Sequence, residues 1–362
     1  MKKSLIAVAS LALCGAASAQ SSVTLFGIVD ATLAYGSGNI SNKTQLTNSG
    51  YNSSRVGFKG IESLGGDLRA GFHLEAGISN DDGQGGSTNT NNQASGTGAG
   101  VNGRQGLTFN RRSTVSLGGN WGELRLGRDY TPQFWNLTMY DPFGTNGVGT
   151  NQAFVSSIGG PVNTRASNSF MYLYNHGFGA TSNEGKEGFH AFLSHYRGEN
   201  ASGTATAKDG TGSALRVGYN GGPVSVALAT SSTSYASGDI RTTNIGGAFD
   251  FHAAKVMGMY QRDRVASATA VDATGYLLGV SVPVSVDEIR AAYSRYKTTA
   301  ALNPTTSKLA LGYVHNMSKR TLIYATVARV TNNSGASQAL NGAATAAGGS
   351  STGYDFGLRH SF

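Results

Sequence analysis

Along most of the chain, apolar residues recur at every second position. Leu215, Val217 and Tyr219 share one face of a segment whose other face carries Arg216, Gly218 and Asn220. Val224, Val226 and Leu228 alternate with Ser225, Ala227 and Ala229, and Tyr276, Leu278, Val280 and Val282 with Leu277, Gly279 and Ser281. Leu309, Leu311 and Tyr313 alternate with Lys308, Ala310 and Gly312. A period of two is that of a strand whose two faces meet different surroundings. Gly, Asn, Asp and Ser punctuate the segments, as turns require.

The non-apolar face separates a sandwich from a barrel. In a sandwich that face meets bulk solvent and is rich in Lys, Glu and Thr. Here it is mostly Gly, Ala and Ser with an occasional Arg, which suits the inside of a large barrel around a water-filled channel. The connections alternate as well. Leu64-Gly65-Gly66, Asn120-Trp121-Gly122, Asn220-Gly221-Gly222 and Asn316-Met317-Ser318 are short, whereas Asn80 to Gly106, Pro132 to Thr164, Gly198 to Gly210 and Asn332 to Ser350 are long. Short turns at one rim and long loops at the other are the asymmetry of outer-membrane barrels. The spacing predicts an all-β fold, a transmembrane antiparallel β-barrel of about 16 strands, with no boundary for a second domain. Ser87 to Gly100, rich in Asn, Gly, Ser and Thr, is expected to be an outer loop tip.

The chain closes on a strand. Tyr354, Phe356, Leu358, His360 and Phe362 share one face and Phe362 is the last residue. Closure of this strand on the first, Ser22 to Tyr35, is obligatory in lipid, because an open edge leaves backbone groups unpaired. Trp121, Tyr313 and Phe362, near the short-turn rim, are expected to form its interfacial aromatic girdle.

Composition supports this picture. Lys2 and Lys3, the apolar stretch Leu5 to Cys14 and Ala17-Ser18-Ala19 form a cleavable signal peptide over residues 1–20, leaving a mature barrel of 21–362. The apolar stretch is too short for a membrane anchor. The single cysteine, Cys14, lies within that leader, so the mature chain has no disulfide, thiolate metal ligand or cysteine nucleophile. Charged residues are 13% of the chain, about half the usual share. No segment has the length of an apolar transmembrane helix. The 7 histidines show no metal-ligand spacing and no nucleophile elbow is present. Neither an enzyme, a cofactor nor a metal is expected. The formal charge is +8, but the basic residues are scattered singly through strands, which argues for a basic pore lining rather than nucleic acid. A secreted adhesin or β-solenoid would show short repeats at a fixed period, and none is present.

Several segments resemble the trimeric general porins of Gram-negative bacteria, particularly the β-proteobacterial type. They are Ser22-Val23-Thr24-Leu25-Phe26-Gly27-Ile28-Val29-Asp30, Ser54-Arg55-Val56-Gly57-Phe58-Lys59-Gly60, Arg111-Arg112-Ser113-Thr114-Val115-Ser116-Leu117, Gly122 to Tyr130, Tyr140-Asp141-Pro142-Phe143-Gly144, Leu311 to Asn316 and Gly357 to Phe362. The resemblance implies a homotrimer of 16-stranded barrels in outer-membrane lipid and lipopolysaccharide, each passing small hydrophilic solutes by diffusion. It also implies an inward-folded third loop, about 131–164, that narrows each pore, with basic residues on the wall facing acidic groups on or near the loop.

By that resemblance Arg55, Arg128 and Arg165 are the wall arginines of the constriction, joined by Arg111 or Arg112. Asp141, with Asp129 second, is the acidic counterpart. Guanidinium stays charged at any working pH, and fixed positive charge in a narrow pore concentrates anions. Other roles stay open: each arginine could pair with a loop acid, and Asp141 before Pro142 could only start a turn. Arg128 shares the alternation of Leu124 and Leu126, so either a bulge intervenes or the strand has ended before it. Lys59 and Arg69 extend the basic wall or lie at the pore mouth. Phe134 and Trp135 are expected to pack the loop against the wall. An anion-preferring general channel and a channel specific for one anion both fit.

Overall fold

Among the described residues the alternating segments form seventeen antiparallel strands in one sheet. The computed structural model describes residues 22–88, 92–93, 106–180 and 184–362. The expected leader at 1–20 and most of the expected Ser87 to Gly100 loop tip lie outside them. The first half contains β1 (Ser22–Ser37), β2 (Lys43–Asn48), β3 (Arg55–Gly65), β4 (Leu68–Gly77), β5 (Arg112–Gly119), β6 (Gly122–Tyr130), β7 (Arg165–Tyr174) and β8 (Gly188–Tyr196). The second contains β9 (Thr211–Gly221), β10 (Val224–Ser234), β11 (Asp239–Asp250), β12 (Lys255–Ala266), β13 (Val271–Val284), β14 (Asp287–Thr298), β15 (Thr305–Asn316), β16 (Thr321–Asn332) and β17 (Ser350–Ser361). Two short helices, α1 (Pro132–Met139) and α2 (Gln152–Val155), lie between β6 and β7.

The ring has sixteen staves, because β2 and β3 share one. β3 pairs with residues 22–28 of β1, and β2 with residues 31–36. β17 closes the ring on β1 from Ile28↔Ser361 to Ser37↔Thr352. The seam is finished by Phe362, whose backbone exchanges two 3.1 Å hydrogen bonds with Gly27. Strands of about a dozen residues rise about 3.3 Å per residue, which when tilted crosses an apolar band about 25 Å tall.

Burial is inverted relative to a protein folded in water. Outward Leu278 and Leu309 are 62% and 63% exposed, whereas inward Arg216 and Asp263 are fully buried. The polar face turns inward and the apolar face lies toward lipid, so every charged side chain of the interior needs a partner there.

Turns at the short rim rely on glycine where the chain must take positive φ. Gly65 and Gly66 (φ +89° and +54°) and Gly222 (φ +54°) reverse direction with nothing near a Cβ position, so conformation and not space selects glycine. One connection at this rim breaks the expected asymmetry. Residues 175–180, which follow β7, enter the barrel: the Phe178 ring lies 2.6 Å from where a Cβ of inward-facing Gly118 would stand.

Gly27 answers to packing instead. A Cβ there would stand 2.3 Å from Phe362 Cζ and 2.8 Å from the Arg55 carbonyl oxygen. Gly27→Leu should therefore lower the yield of barrel that resists unfolding on an unheated gel, while Gly65→Asn, at a turn open to solvent, should leave it close to the parent protein's.

Candidate functional site: a basic recess beside the β6–β7 loop

Residues 131–164 leave the rim between β6 and β7, yet their hydrogen bonds reach the inner faces of distant staves. Asn136 of α1 donates to the Ala227 carbonyl of β10 at 2.9 Å, and Asn244 of β11 donates to the Gln133 carbonyl at 3.0 Å. Arg216 of β9 donates from Nε to Asn136 Oδ1 at 2.6 Å. Further along, Gln152 N donates to Ser294 Oγ, Lys308 Nζ to the Thr150 carbonyl at 2.8 Å, and Val148 N to Asp355 Oδ2 at 2.7 Å. Six staves thus hold this segment by polar bonds. Its aromatic side chains hold the near side, with Phe134 stacked on Tyr130 at 5.1 Å between ring centres and Trp135 edge-on to it at 5.2 Å.

Between the segment and the β3–β7 wall lies an open recess of about 480 Å³, lined by Arg55, Glu75, Arg111, Tyr130, Arg165 and, from the loop, Thr138, Thr145 and Asn146. The side chains form one network. Arg111 Nε meets Glu75 Oε1 at 2.5 Å, with Arg55 Nε 3.8 Å from the same oxygen. Arg165 NH2 donates to the Tyr130 hydroxyl at 2.6 Å, and its guanidinium lies 4.1 Å above that ring. Arg111 also donates to the Tyr130 hydroxyl. Tyr130 therefore spaces two like charges, its oxygen accepting from both and its π-face attracting one. Glu75 is the only carboxylate among the residues lining the recess, so three fixed cations face one anion.

Of the seven charged residues assigned to the constriction by the resemblance, three meet here: Arg55, Arg111 and Arg165. Arg112 and Asp129 lie outside the recess, in a buried network with balanced charge. Arg112 Nε donates to Asp129 Oδ1 at 2.7 Å, Arg125 NH1 to Asp129 Oδ2 at 2.6 Å, and Arg125 Nε to Glu123 Oε1 at 2.8 Å. Residues 179 and 180, after β7, join this network, since the Ala180 carbonyl accepts from Arg112 and Gly179 N donates to Glu123.

Arg128 keeps the outward parity of Leu124 and Leu126. It is half-buried and donates to the Asn110 carbonyl and Ser167 Oγ at 2.6 and 2.7 Å. A register shift does occur beside it: Gly127 pairs with Ser169 and Asp129 with Ala166. The surplus residue is thus on β7, and beyond it Asp129 and Tyr130 are both buried, so the β6 alternation stops at this irregularity.

Asp141 faces its own loop, accepting from the backbone N–H groups of Phe143, Thr145 and Asn151 at 2.9, 3.4 and 3.1 Å. Burial pushes this carboxyl up to about 6, against the three donors, which lower it. The folded chain then holds the proton more tightly than the unfolded one. Asp141 contributes most stability below about pH 4 and loses that contribution as the pH rises through about 6. Asp141→Asn should therefore flatten the change in unfolding temperature between pH 4 and 7 measured in detergent.

Two members of the recess were not singled out in the sequence. Glu75 had a usable signal, because it alternates with His73 against outward Leu74 and Phe72 and so had to face inward. Tyr130 had none, since its role depends on a loop that folds back over it.

Comparison with known proteins fixes the family. A family model described as Gram-negative porin matches residues 4–335. The chain belongs to the Gram-negative porins. It is 37% identical to outer membrane porin protein 32 of Delftia acidovorans over the full length of both chains, and 27% identical to an outer membrane porin protein of Bordetella pertussis over 90% of this chain and 93% of that one. Among solved structures it is similar to the anion-selective porin from Comamonas acidovorans, with a TM-score of 0.80 and 33% identity over 95% of this chain and 100% of that one. OmpT of Vibrio cholerae, at 14% identity and a TM-score of 0.63, shares the fold. This porin is an outer-membrane protein, a channel for passive diffusion of small hydrophilic solutes.

Proposed function

We propose that this porin prefers anions and that Arg55, Arg111 and Arg165 impose the preference where loop 131–164, folded into the lumen, narrows the pore. The observation that carries the reading is charge imbalance: three guanidinium groups share one recess with a single carboxylate, Glu75. A permeating anion takes the place of the missing acids and a cation is repelled. The bonds from loop 131–164 to inner-face residues of distant staves support the narrowing. The anion selectivity named for the Comamonas relative supports the sign. Arg112, Arg125, Glu123 and Asp129, neutral as a group, stiffen the wall behind the recess.

In this reading residues 1–20 are removed on export, the barrel of 21–362 assembles as a homotrimer among outer-membrane lipids and lipopolysaccharide, and no catalysis is involved. The form of OmpT described as a trimer supports the assembly.

Proteoliposome swelling tests the reading with solutes of similar size. Gluconate should enter faster than glucose, and glucosamine slowest. The reverse order would contradict it. Flux proportional to concentration is the result expected of a general channel, whereas saturation by one anion would make it a channel for that solute.

A further inference from the structure

The outward wall of β11 to β14 changes character near the long-loop rim. Arg241, Arg262, Arg264 and Lys297 all occupy outward positions there and are exposed, and Arg295 is partly so. The register brings them together. Arg241 is directly opposite Arg264 on the neighbouring strand, and Thr274 of β13 lies between Arg262 on one side and Lys297 on the other. With strands about 4.8 Å apart, Arg262 and Lys297 are about 10 Å apart. Two acids share this face, Asp272, 3.5 Å from Arg262, and Asp239, two residues from Arg241 on β11, against five cations. At matching outward positions on β9 and β10 stand the neutral Ser213 and Ser232.

Height along the wall identifies the surroundings. Tyr260, Tyr276 and Tyr293 lie on the same outward face, with Tyr260 opposite Tyr276 and the Tyr276 and Tyr293 rings 6.1 Å apart. Outward tyrosines mark the boundary between acyl chains and headgroups. Arg262 and Arg264 follow Tyr260 by two and four residues, about 7 and 13 Å along the strand and, with a tilt of about 40°, about 5 and 10 Å in height toward the rim. The cations therefore stand at headgroup depth in the outer leaflet. They are turned away from the pore, where they can do nothing for permeating ions.

We infer that this patch binds the phosphates of a bisphosphorylated glycolipid of the outer leaflet, of the lipid A type. The inference rests on the lipopolysaccharide contact proposed above and names the surface that makes it. Guanidinium groups take phosphate oxygens in pairs, and three of the four strands, β11, β12 and β14, present cations over the width of one headgroup. A second copy of the chain fits poorly, because a self-complementary contact here would set basic surface against basic surface.

The test uses the folded mature protein in neutral detergent, with retained lipid counted by native mass spectrometry. Bisphosphorylated lipid A and its dephosphorylated form are the probes. The parent protein should bind the bisphosphorylated form at least tenfold more tightly. Arg262→Gln/Arg264→Gln/Lys297→Gln should abolish that difference, and the corresponding Arg262→Lys/Arg264→Lys variant should keep most of it. Equal binding of both lipids by the parent protein would overturn the phosphate site while leaving a lipid contact standing, and it decides the matter even if the triple variant fails to fold. Binding of neither lipid would overturn both. A triple variant that folds and still prefers the phosphorylated lipid, or one that changes only its oligomeric state, would also overturn the site. None of these outcomes bears on ion selectivity, which is read separately.

Discussion

Arg55→Ser/Arg111→Ser/Arg165→Ser should move the channel from anion preference to weak cation preference. The parent recess holds two net positive charges, and the variant would retain only Glu75. Unit charges 4 Å apart interact by about 1 kcal/mol in water and about 4 kcal/mol at the effective dielectric near a protein surface. An imbalance of two charges thus favours an anion over neutral solute by about 2 kcal/mol or more and disfavours a cation similarly. That corresponds to a permeability ratio on the order of tenfold or above, and the substitution removes it. The single changes are not equivalent. Arg165→Ser leaves Glu75 paired with Arg111 and should weaken selectivity cleanly. Arg111→Ser strips the closest partner from Glu75 and should also disturb the wall. Because ions screen over about 10 Å at 0.1 M, the difference between parent and variant should shrink in concentrated salt.

The second large effect concerns the loop. Arg216→Met/Lys308→Met should give a noisier, larger conductance without unfolding the barrel. Arg216, with no exposed surface, holds α1 through Asn136, and Lys308, 2% exposed, holds the turn before α2 through the Thr150 carbonyl. Hydrogen bonds from charged groups contribute about 1.5–3 kcal/mol each. Removing both would raise the population of a displaced loop by about a hundredfold to ten-thousandfold, at 1.4 kcal/mol per decade. The strand ladders do not depend on either side chain, so heat-modifiability should persist. Single-channel recordings showing a steady conductance equal to the parent's would mean that the remaining bonds, such as Val148 to Asp355 and Asn244 to Gln133, suffice.

How much of this was legible in the sequence follows from where periodicity reigns. The outward residues Leu215, Val217, Tyr219, Leu309, Leu311 and Tyr313 are the ones the alternation puts in lipid, because each strand must satisfy the same two media. Arg128, expected on the constriction wall despite sharing the alternation of Leu124 and Leu126, bonds instead to the Asn110 carbonyl and Ser167 Oγ and is not among the residues lining the recess. The loop was not legible in this way. Asp141 has a sequence context that fits a pore acid, yet three backbone N–H groups of its own loop converge on it. Glu75, on a strand, is the carboxylate that faces the arginines. The inward course of residues 175–180 also escaped, because their contacts with Gly118 and Arg112 are long-range and leave no period.

The central claim is that three arginines against one glutamate make this porin anion-preferring. It is tested most directly by the zero-current potential of the folded mature protein in a planar bilayer across a tenfold potassium chloride gradient. The account predicts stepwise conductance and a potential displaced toward the chloride equilibrium value. A potential at zero or on the potassium side, with the same conductance steps, would contradict it.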